Sequence, residues 1–322
     1  MDLTVVVPIY NEEDNIEVLH ERLTGALAGS GLDYELILVD DGSADHSFEI
    51  LRQLAGGDRR VRIIRFRRNF GQTAAMAAGF DAARGRVVVP MDGDLQNDPA
   101  DIPRLLDKIN EGYDVVSGWR RDRKDTFINR KLPSMIANGL ISRLTGVHLH
   151  DYGCTLKAYR REVLEGVSLY GEMHRFVPAL ASQVGARVTE LPVMHHPRMF
   201  GKSKYGISRT LRVILDLMTV KFLLAYSTKP IQLFGKWGVY TLFAGCLSGS
   251  ATIYMKLFER MSMNRNPLLI LTAFLLFMGI QFIVLGLLGE LNARTYYEAQ
   301  GKPIYTVRER MNFEPHTDSE PG

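Results

Sequence analysis

Cysteine is scarce in this chain. Cys154 and Cys246 are the only two among 322 residues, and they lie in dissimilar surroundings, so no disulfide framework is expected. The opening MDLTVVVPIY lacks a basic start and soon meets Pro8 and acidic residues, which does not fit a secretory signal. The residues before about position 230 are therefore expected to stay on the cytoplasmic side. No G-x-G-x-x-G follows the first apolar run, which argues against a dinucleotide oxidoreductase. The Gly-Lys-Ser of FGKSKYG is no P-loop, because His196 stands where that loop needs glycine. A formal net charge of +3 and the lack of an aromatic-interleaved RNA motif give no support for a nucleic-acid partner. No internal repeat is visible.

Charge is missing altogether from two long stretches, Trp237 to Met255 and Pro267 to Gly289. An apolar helix of about 20 residues spans a hydrocarbon core roughly 30 Å thick. The second stretch meets that length easily. The first carries Gly, Ser and Thr, which weakens its hydropathy but suits close packing between membrane helices. A two-helix transmembrane hairpin is expected over residues 230–292, with spans at about 233–257 and 267–290. Basic residues flank both its outer ends and its connection, so they assign no orientation. Before it, residues 207–229 mix apolar side chains with Arg209, Arg212, Asp216 and Lys221, the pattern of an amphipathic interfacial helix. After it, 293–322 is expected to be a cytoplasmic tail, polar and without structure beyond Arg310.

What remains, residues 1–206, alternates strand and helix. LTVVVPIY, ELILVDDG, VRIIRF, GRVVVPMDGD and DVVSGW are nearly continuous apolar runs, as in strands buried on both faces of a parallel sheet. Helical stretches lie between them at Glu12–Leu27, Ser47–Leu54, Thr73–Ala83 and Ile102–Glu111. The alternation predicts a Rossmann-like α/β domain with a mostly parallel sheet. Ligands of such sheets bind beyond the carboxyl ends of the strands. PIYNEE, VDDGSAD and MDGDLQND all fall there.

In MDGDLQND, Asp92 and Asp94 close a strand, with Gln96 following. Hard oxygen ligands in this pattern suit Mg²⁺ or Mn²⁺, which complete their shell with phosphate and water. Alone, D-x-D could be a solvated acidic turn; two further polar strand ends beside it argue for a site. Asp40, Asp41 and Asp45 of VDDGSAD could accept hydrogen bonds from a base or ribose. Tyr10 could stack on a base, with Asn11 and Glu12 beside it. Arg120, Arg121, Arg123, Lys124, Arg130 and Lys131 follow the fifth strand, and Arg198, Lys202 and Lys204 precede the interfacial segment. Both runs suit phosphate binding. Asp151 of HDYGC is a candidate base, yet a lipid phosphate is already ionised near neutral pH, so Asp151 could equally orient the acceptor or balance the arginines.

PIYNE, VDDGSAD, NFGQTAAMAAG, MDGDLQNDP, SGWR, DYGCTLKAYRREV and FGKSKYG, in this order, resemble the family 2 glycosyltransferases that act on polyisoprenyl phosphates. That group includes dolichol-phosphate mannose synthase and bacterial undecaprenyl-phosphate glycosyltransferases. The resemblance implies a GT-A fold, Mg²⁺ or Mn²⁺, and inverting transfer from a nucleotide-sugar to a lipid phosphate. It assigns Pro8, Tyr10, Glu12, Val39, Asp41, Asp92 and Gly93 to the nucleotide-sugar, and Asp92, Asp94 and Gln96 to the metal. Arg120, Arg130, Lys131, Arg198 and Lys204 would contact the lipid phosphate or the diphosphate. Asp94, Asp151 and Arg120 would be the catalytic set. UDP-glucose is the first expectation for the donor, then GDP-mannose, then a modified arabinose. A bacterial inner-membrane enzyme with several spans, forming homo-oligomers such as tetramers, is the accompanying expectation. Q-x-x-R-W, the mark of processive relatives, is absent, and the intact D-x-D argues against an inactive scaffold.

Overall fold

The computed structural model describes residues 1–121, 138–139, 141–142, 145–165, 173–183, 185–197, 230–258, 266–299 and 305–313. The chain divides into two compact units, Met1–Leu217 with Pro303–Gly322, and Met218–Lys302. The expected interfacial helix over 207–229 lies outside the described residues, as do Arg130, Lys131, Arg198 and Lys204.

The first unit is built on one sheet. Its strands are β1 (Leu3–Ile9), β2 (Tyr34–Asp40), β3 (Val61–Phe66), β4 (Val87–Pro90), β5 (Val115–Trp119), β6 (Lys157–Arg160), β7 (Val188–Pro192) and β8 (Val307–Met311). They lie in the order β7-β5-β6-β4-β1-β2-β3-β8. β6 runs against β4 and β5, and β8 against β3; the other pairings are parallel. The apolar runs give the reason. Every residue of β2 and of β4 is buried, as strands covered on both faces must be. Most of the covering helices carry an apolar stripe. In α1 (Ile16–Leu27) the buried residues are Ile16, Leu19, Leu23 and Leu27. α2 (Ser47–Gly57) buries Phe48, Leu51 and Ala55, and α3 (Gln72–Ala82) is small-sided, with Ala74, Ala75, Met76, Ala78 and Gly79 buried. In α4 (Ile102–Asn110), Ile102, Leu105, Leu106 and Ile109 form one helical stripe. Two short helices, α5 (Arg161–Glu165) and α6 (Val177–Gln183), follow later in the unit.

The chain winds from β1 outward to β2 and β3, then crosses to β4 on the other side of β1. The crevice at such a reversal is where open α/β sheets bind ligands. At the opposite end of the strands, buried polar groups are satisfied internally. Glu35 accepts from the Thr4 hydroxyl at 2.7 Å and from Arg62 Nη1 at 2.5 Å.

β8 corrects the expectation that the chain beyond Arg310 has no structure. Met311 pairs with Ile63, and the Asn312 side chain donates to the carbonyls of Ala55 and Val61 at 2.8 and 2.7 Å. Upstream, Tyr305 stacks on Phe66, with ring centres 5.1 Å apart, and its hydroxyl donates to Asp81. The tail therefore returns to the first unit and adds an edge strand to its sheet.

The second unit contains α7 (Pro230–Phe258) and α8 (Pro267–Ala299). Among the described residues, Pro267–Gly289 is the one segment long and apolar enough to cross a membrane, and only 6% of its most apolar window is buried in the protein. Core helices of soluble proteins are mostly buried, so this degree of exposure separates α8 from them. α7 is long enough at 29 residues, but its Gly, Ser and Thr residues lower its hydropathy. Of these, Gly238, Gly245, Ser248 and Gly249 face α8. A Cβ on Gly238 would lie 2.7 Å from Ile283 Cγ1 and 2.9 Å from the Gly279 carbonyl, and one on Gly279 would lie 2.6 Å from Leu242 Cγ. Nearby, Thr272 donates to Ser248 across the pair at 2.9 Å. Outward, Phe243, Leu247, Phe274, Phe277 and Ile280 are exposed. Replacing Gly279 with Val is expected to push the helices apart at a cost of about 1–3 kcal/mol. Thermal unfolding in detergent should show a lower midpoint than for Gly25→Ala, a position where an added Cβ meets nothing within 4 Å.

Candidate active site

Four strand ends converge on one edge of the sheet. After β1, Asn11 adopts a left-handed φ of +51°, a conformation that asparagine tolerates better than most residues. This turn is stitched to the loop after β2. Asn11 N–H donates to Ser43 Oγ at 3.0 Å, Ala44 N–H to Asn11 Oδ1 at 2.8 Å, and Glu12 N–H to Ser47 Oγ at 2.9 Å. Pro8, Tyr10 and Glu12 are half-buried along this edge, whereas the Val39 side chain is fully buried within β2.

Asp41, just past β2, reaches to the start of α3. Its two carboxylate oxygens accept from the N–H groups of Phe70 at 2.6 Å and Gly71 at 2.9 Å. Burial pushes its carboxyl up to about 6, against the pull of those two bonds, and the neighbouring Asp40 adds to the rise. Glycine is required beside it. Gly42 has φ +69°, and a Cβ there would stand 2.5 Å from the Arg68 carbonyl carbon.

The loop after β4 carries the paired carboxylates. Asp92 Oδ1 accepts from Gln72 Nε2 at 2.7 Å, and Oδ2 from the Thr155 hydroxyl at 2.8 Å. Asp94 is buried, and its Oδ1 accepts from Gln96 N–H at 3.2 Å. Burial raises the Asp92 carboxyl above its ordinary range, and the charge of Asp94 raises it further. Gly93 sits tightly between them, since a Cβ would come 2.8 Å from Ile9 Cδ1. Among the described residues no group of three or more His, Cys, Asp or Glu is arranged to hold a metal. Two adjacent carboxylates that repel each other still fit a hard divalent ion whose other ligands are substrate phosphates and water. Gln96 is held from the far side. His196 N–H donates to its carbonyl at 2.8 Å, while its Nε2 donates to the His196 carbonyl at 3.4 Å.

Arg120 follows β5 and is locked to Asp151. Nε donates to Oδ2 at 2.7 Å and the second guanidinium nitrogen to Oδ1 at 3.0 Å, a two-point pair. Burial opposes the Arg120 charge, but the bond to Asp151 and its negative charge prevail, and the guanidinium is held above its ordinary range. Asp151, only 4% exposed, thus spends both oxygens on the arginine, whose backbone N–H also donates to it at 3.4 Å, and Gly153 N–H adds a further bond at 3.1 Å. Of the readings open for Asp151, as a base, as an orienter of the acceptor or as a balance to the arginines, the last fits this geometry. Behind the turn lies a small cavity lined in part by Cys154, Lys157, Tyr159 and His174. Burial lowers Lys157, raises the Cys154 thiol to about 11 and holds His174 down to about 3, so the histidine is neutral near pH 7.

The sequence placed Pro8, Tyr10, Glu12, Asp41, Asp92, Gly93, Asp94, Gln96 and Arg120 at strand ends, and the structure brings those ends together. Two residues on Asp92, Gln72 and Thr155, were not singled out. Both lie inside motifs already noted, NFGQTAAMAAG and DYGCTLKAYRREV, Gln72 as the first residue of α3 and Thr155 two residues before β6.

Comparison with known proteins bears on this edge. Residues 4–167 match the family model described as glycosyl transferase family 2. The chain is 46% identical over 316 residues to a dodecaprenyl-phosphate galacturonate synthase of Rhizobium johnstonii, covering 96% of this chain and 93% of that one. It is 38% identical over 309 residues to an undecaprenyl-phosphate 4-deoxy-4-formamido-L-arabinose transferase of Edwardsiella ictaluri, covering 95% and 93%. Among solved structures, glucosyl-3-phosphoglycerate synthase from Mycobacterium tuberculosis, crystallised with Mn²⁺, uridine diphosphate and phosphoglyceric acid, superposes with a TM-score of 0.55. Identity there is 21%, over 68% of this chain and 78% of that one, a likeness of fold.

Proposed function

Since the chain belongs to glycosyl transferase family 2, we propose that its strand-end site moves a sugar from a nucleotide onto the phosphate of a polyisoprenyl lipid. The observation that carries this reading is the pairing of opposite charges on one sheet edge. A guanidinium fixed by Asp151 stands at the end of β5, and the mutually repelling carboxylates Asp92 and Asp94 at the end of β4, with β6 between the two strands. Such an edge suits a substrate that brings both a diphosphate and a sugar. The two relatives named for polyprenyl phosphates support the acceptor, and the exposed apolar α8 supports a site held at a membrane.

In this reading Pro8, Tyr10, Glu12 and Asp41 hold the nucleoside, Val39 being buried within β2, and Asp92 and Gly93 the sugar-bearing side. Asp92 and Asp94, with Gln96, would hold Mg²⁺ or Mn²⁺. When bound, that ion neutralises charge on the departing diphosphate. Arg120, with Arg130, Lys131, Arg198 and Lys204, attracts phosphate oxygens and stabilises the same negative charge. An oxygen of the lipid phosphate attacks the anomeric carbon while the bond to the nucleoside diphosphate breaks on the opposite face. The nucleophile is already ionised, so no proton has to be removed. Asp151 then serves to orient Arg120. The membrane reading places α7 and α8 across a bacterial inner membrane, with the first unit on its cytoplasmic side and copies associating as homo-oligomers.

For the sugar, the relatives shift the order. Galacturonate and formamido-arabinose both differ from glucose at C4 and in the substituent on C5, so UDP-linked sugars altered there come before UDP-glucose. The test offers purified protein, undecaprenyl phosphate and Mn²⁺ with labelled UDP-galacturonate, UDP-formamido-arabinose, UDP-glucose or GDP-mannose in turn. One of the first two is expected to give the highest kcat/KM. A clear preference for UDP-glucose or GDP-mannose would reverse the order, and no turnover with any donor would favour a scaffold.

A further inference from the structure

The turn from Asp151 to Thr155 touches both halves of the site. At one end Asp151 grips Arg120 with two bonds of 2.7 and 3.0 Å. At the other, Thr155 donates its hydroxyl to Asp92 Oδ2 at 2.8 Å. The turn itself is fixed from beneath. The ammonium of Lys157, 2% exposed, donates to the carbonyls of Cys154 and of Tyr152, the latter at 3.3 Å. Gly118 N–H of β5 donates to the Leu156 carbonyl at 3.0 Å. Leu156 and Cys154 are fully buried, so the turn has little room to move.

An ionised carboxylate offers about four acceptor sites on its two oxygens. On Asp92 the two bonds from Gln72 and Thr155 take one site on each oxygen, which fixes the plane of the carboxylate and leaves one site on each for a ligand. Threonine suits this task, because its branched Cβ restricts χ1 and aims the hydroxyl. On the functional reading above, we propose that Thr155 is a positioning residue: it orients Asp92 for the metal and nucleotide and ties that orientation to the segment holding Arg120. Gln72 supplies the second, less constrained bond from the first turn of α3.

Partners of metal-ligating groups change metal affinity or activity by about 10–100-fold when removed. The test measures free Mn²⁺ by electron paramagnetic resonance during titration with UDP present, for wild type, Thr155→Val, Thr155→Ser, Gln72→Ala and Asp94→Ala. Val keeps the shape of Thr and loses the donor. Thr155→Val is expected to weaken Mn²⁺ binding at least tenfold and to lower kcat/KM for the donor in parallel, with KM for polyprenyl phosphate within twofold of wild type. Thr155→Ser is expected to stay within threefold on every measure. Should Thr155→Val fail to fold, Gln72→Ala gives the second reading, a several-fold loss in the same direction. Wild-type Mn²⁺ affinity in a folded Thr155→Val, with Asp94→Ala impaired, would overturn the positioning role and leave the functional reading intact. A wild-type protein that takes up no Mn²⁺ with UDP would overturn the functional reading, and this inference with it.

Discussion

Replacing Asp94 with Ala is expected to lower turnover by about 10²–10³-fold, roughly 3–4 kcal/mol of transition-state stabilisation, while the fold survives. The two halves of that expectation have separate grounds. Asp94 stands at the end of β4 in the same loop as Asp92, and its charge raises the Asp92 carboxyl. In the free protein the pair is mutually repulsive, so loss of one member removes a cost as well as a bond. One bond lost is that from Gln96 N–H at 3.2 Å, and Gln96 is also held through His196. On the proposed reading the balance reverses in turnover, because both carboxylates would then hold the divalent ion. Asp94→Asn keeps the shape and the acceptor and should lose nearly as much rate. Initial rates at saturating Mn²⁺, with circular dichroism on the same samples, check both points. A variant keeping a third or more of wild-type turnover would contradict the assignment.

The largest stability effect is expected at the other end of the sheet. Glu35 is 1% exposed and accepts from the Thr4 hydroxyl, the Arg84 N–H at 2.8 Å and Arg62 Nη1 at 2.5 Å. Arg62 is itself 5% exposed. Removing one partner of a buried pair leaves an uncompensated charge, and such losses run to about 3–5 kcal/mol. Glu35→Ala should therefore unfold at markedly lower denaturant. A double variant, Glu35→Leu with Arg62→Met, should recover much of the loss, because no charge is then stranded. The pair also sets an acid dependence. Burial works to raise the Glu35 carboxyl, but the bonds from Arg84, Thr4 and Arg62 outweigh it, and the group is held below its ordinary 4.5. A carboxyl lowered on folding stabilises the protein above its unfolded value, and that contribution fades as pH falls through the folded one. Denaturant midpoints from pH 7 down to 3 should fall for wild type and stay flatter for Glu35→Gln at the acid end. A loss under about 1 kcal/mol in Glu35→Ala would show that the ion pair contributes little.

The strands β1 to β5 were legible because burial on both faces leaves an apolar run, as in ELILVD and VRIIRF. β8 was not. Its three central residues, Arg308, Glu309 and Arg310, are exposed, as suits an edge strand, and its partner lies more than 240 positions earlier. An edge of that kind writes no period into the sequence. The start of α1 was also read too early, at Glu12 instead of Ile16, because Asn11 turns left-handed and the next residues form a turn. At the site, acidic residues at strand ends declared themselves through position alone. Gln72 and Thr155 did not, since what marks them is contact with Asp92 from 20 and 63 positions away. Arg120 and Asp151 were each visible as charges, but their two-point pairing is a fact of geometry that narrows the role of Asp151.

The most direct test of the whole account is the identity of the product. Purified protein would be incubated with undecaprenyl phosphate, Mn²⁺ and labelled nucleotide-sugar, and the organic phase examined by mass spectrometry with and without EDTA. The account predicts a lipid carrying one sugar through a single phosphate, formed only when metal is present, with free nucleoside diphosphate as co-product. Label confined to the aqueous phase, as free sugar or as a soluble glycoside, would contradict it.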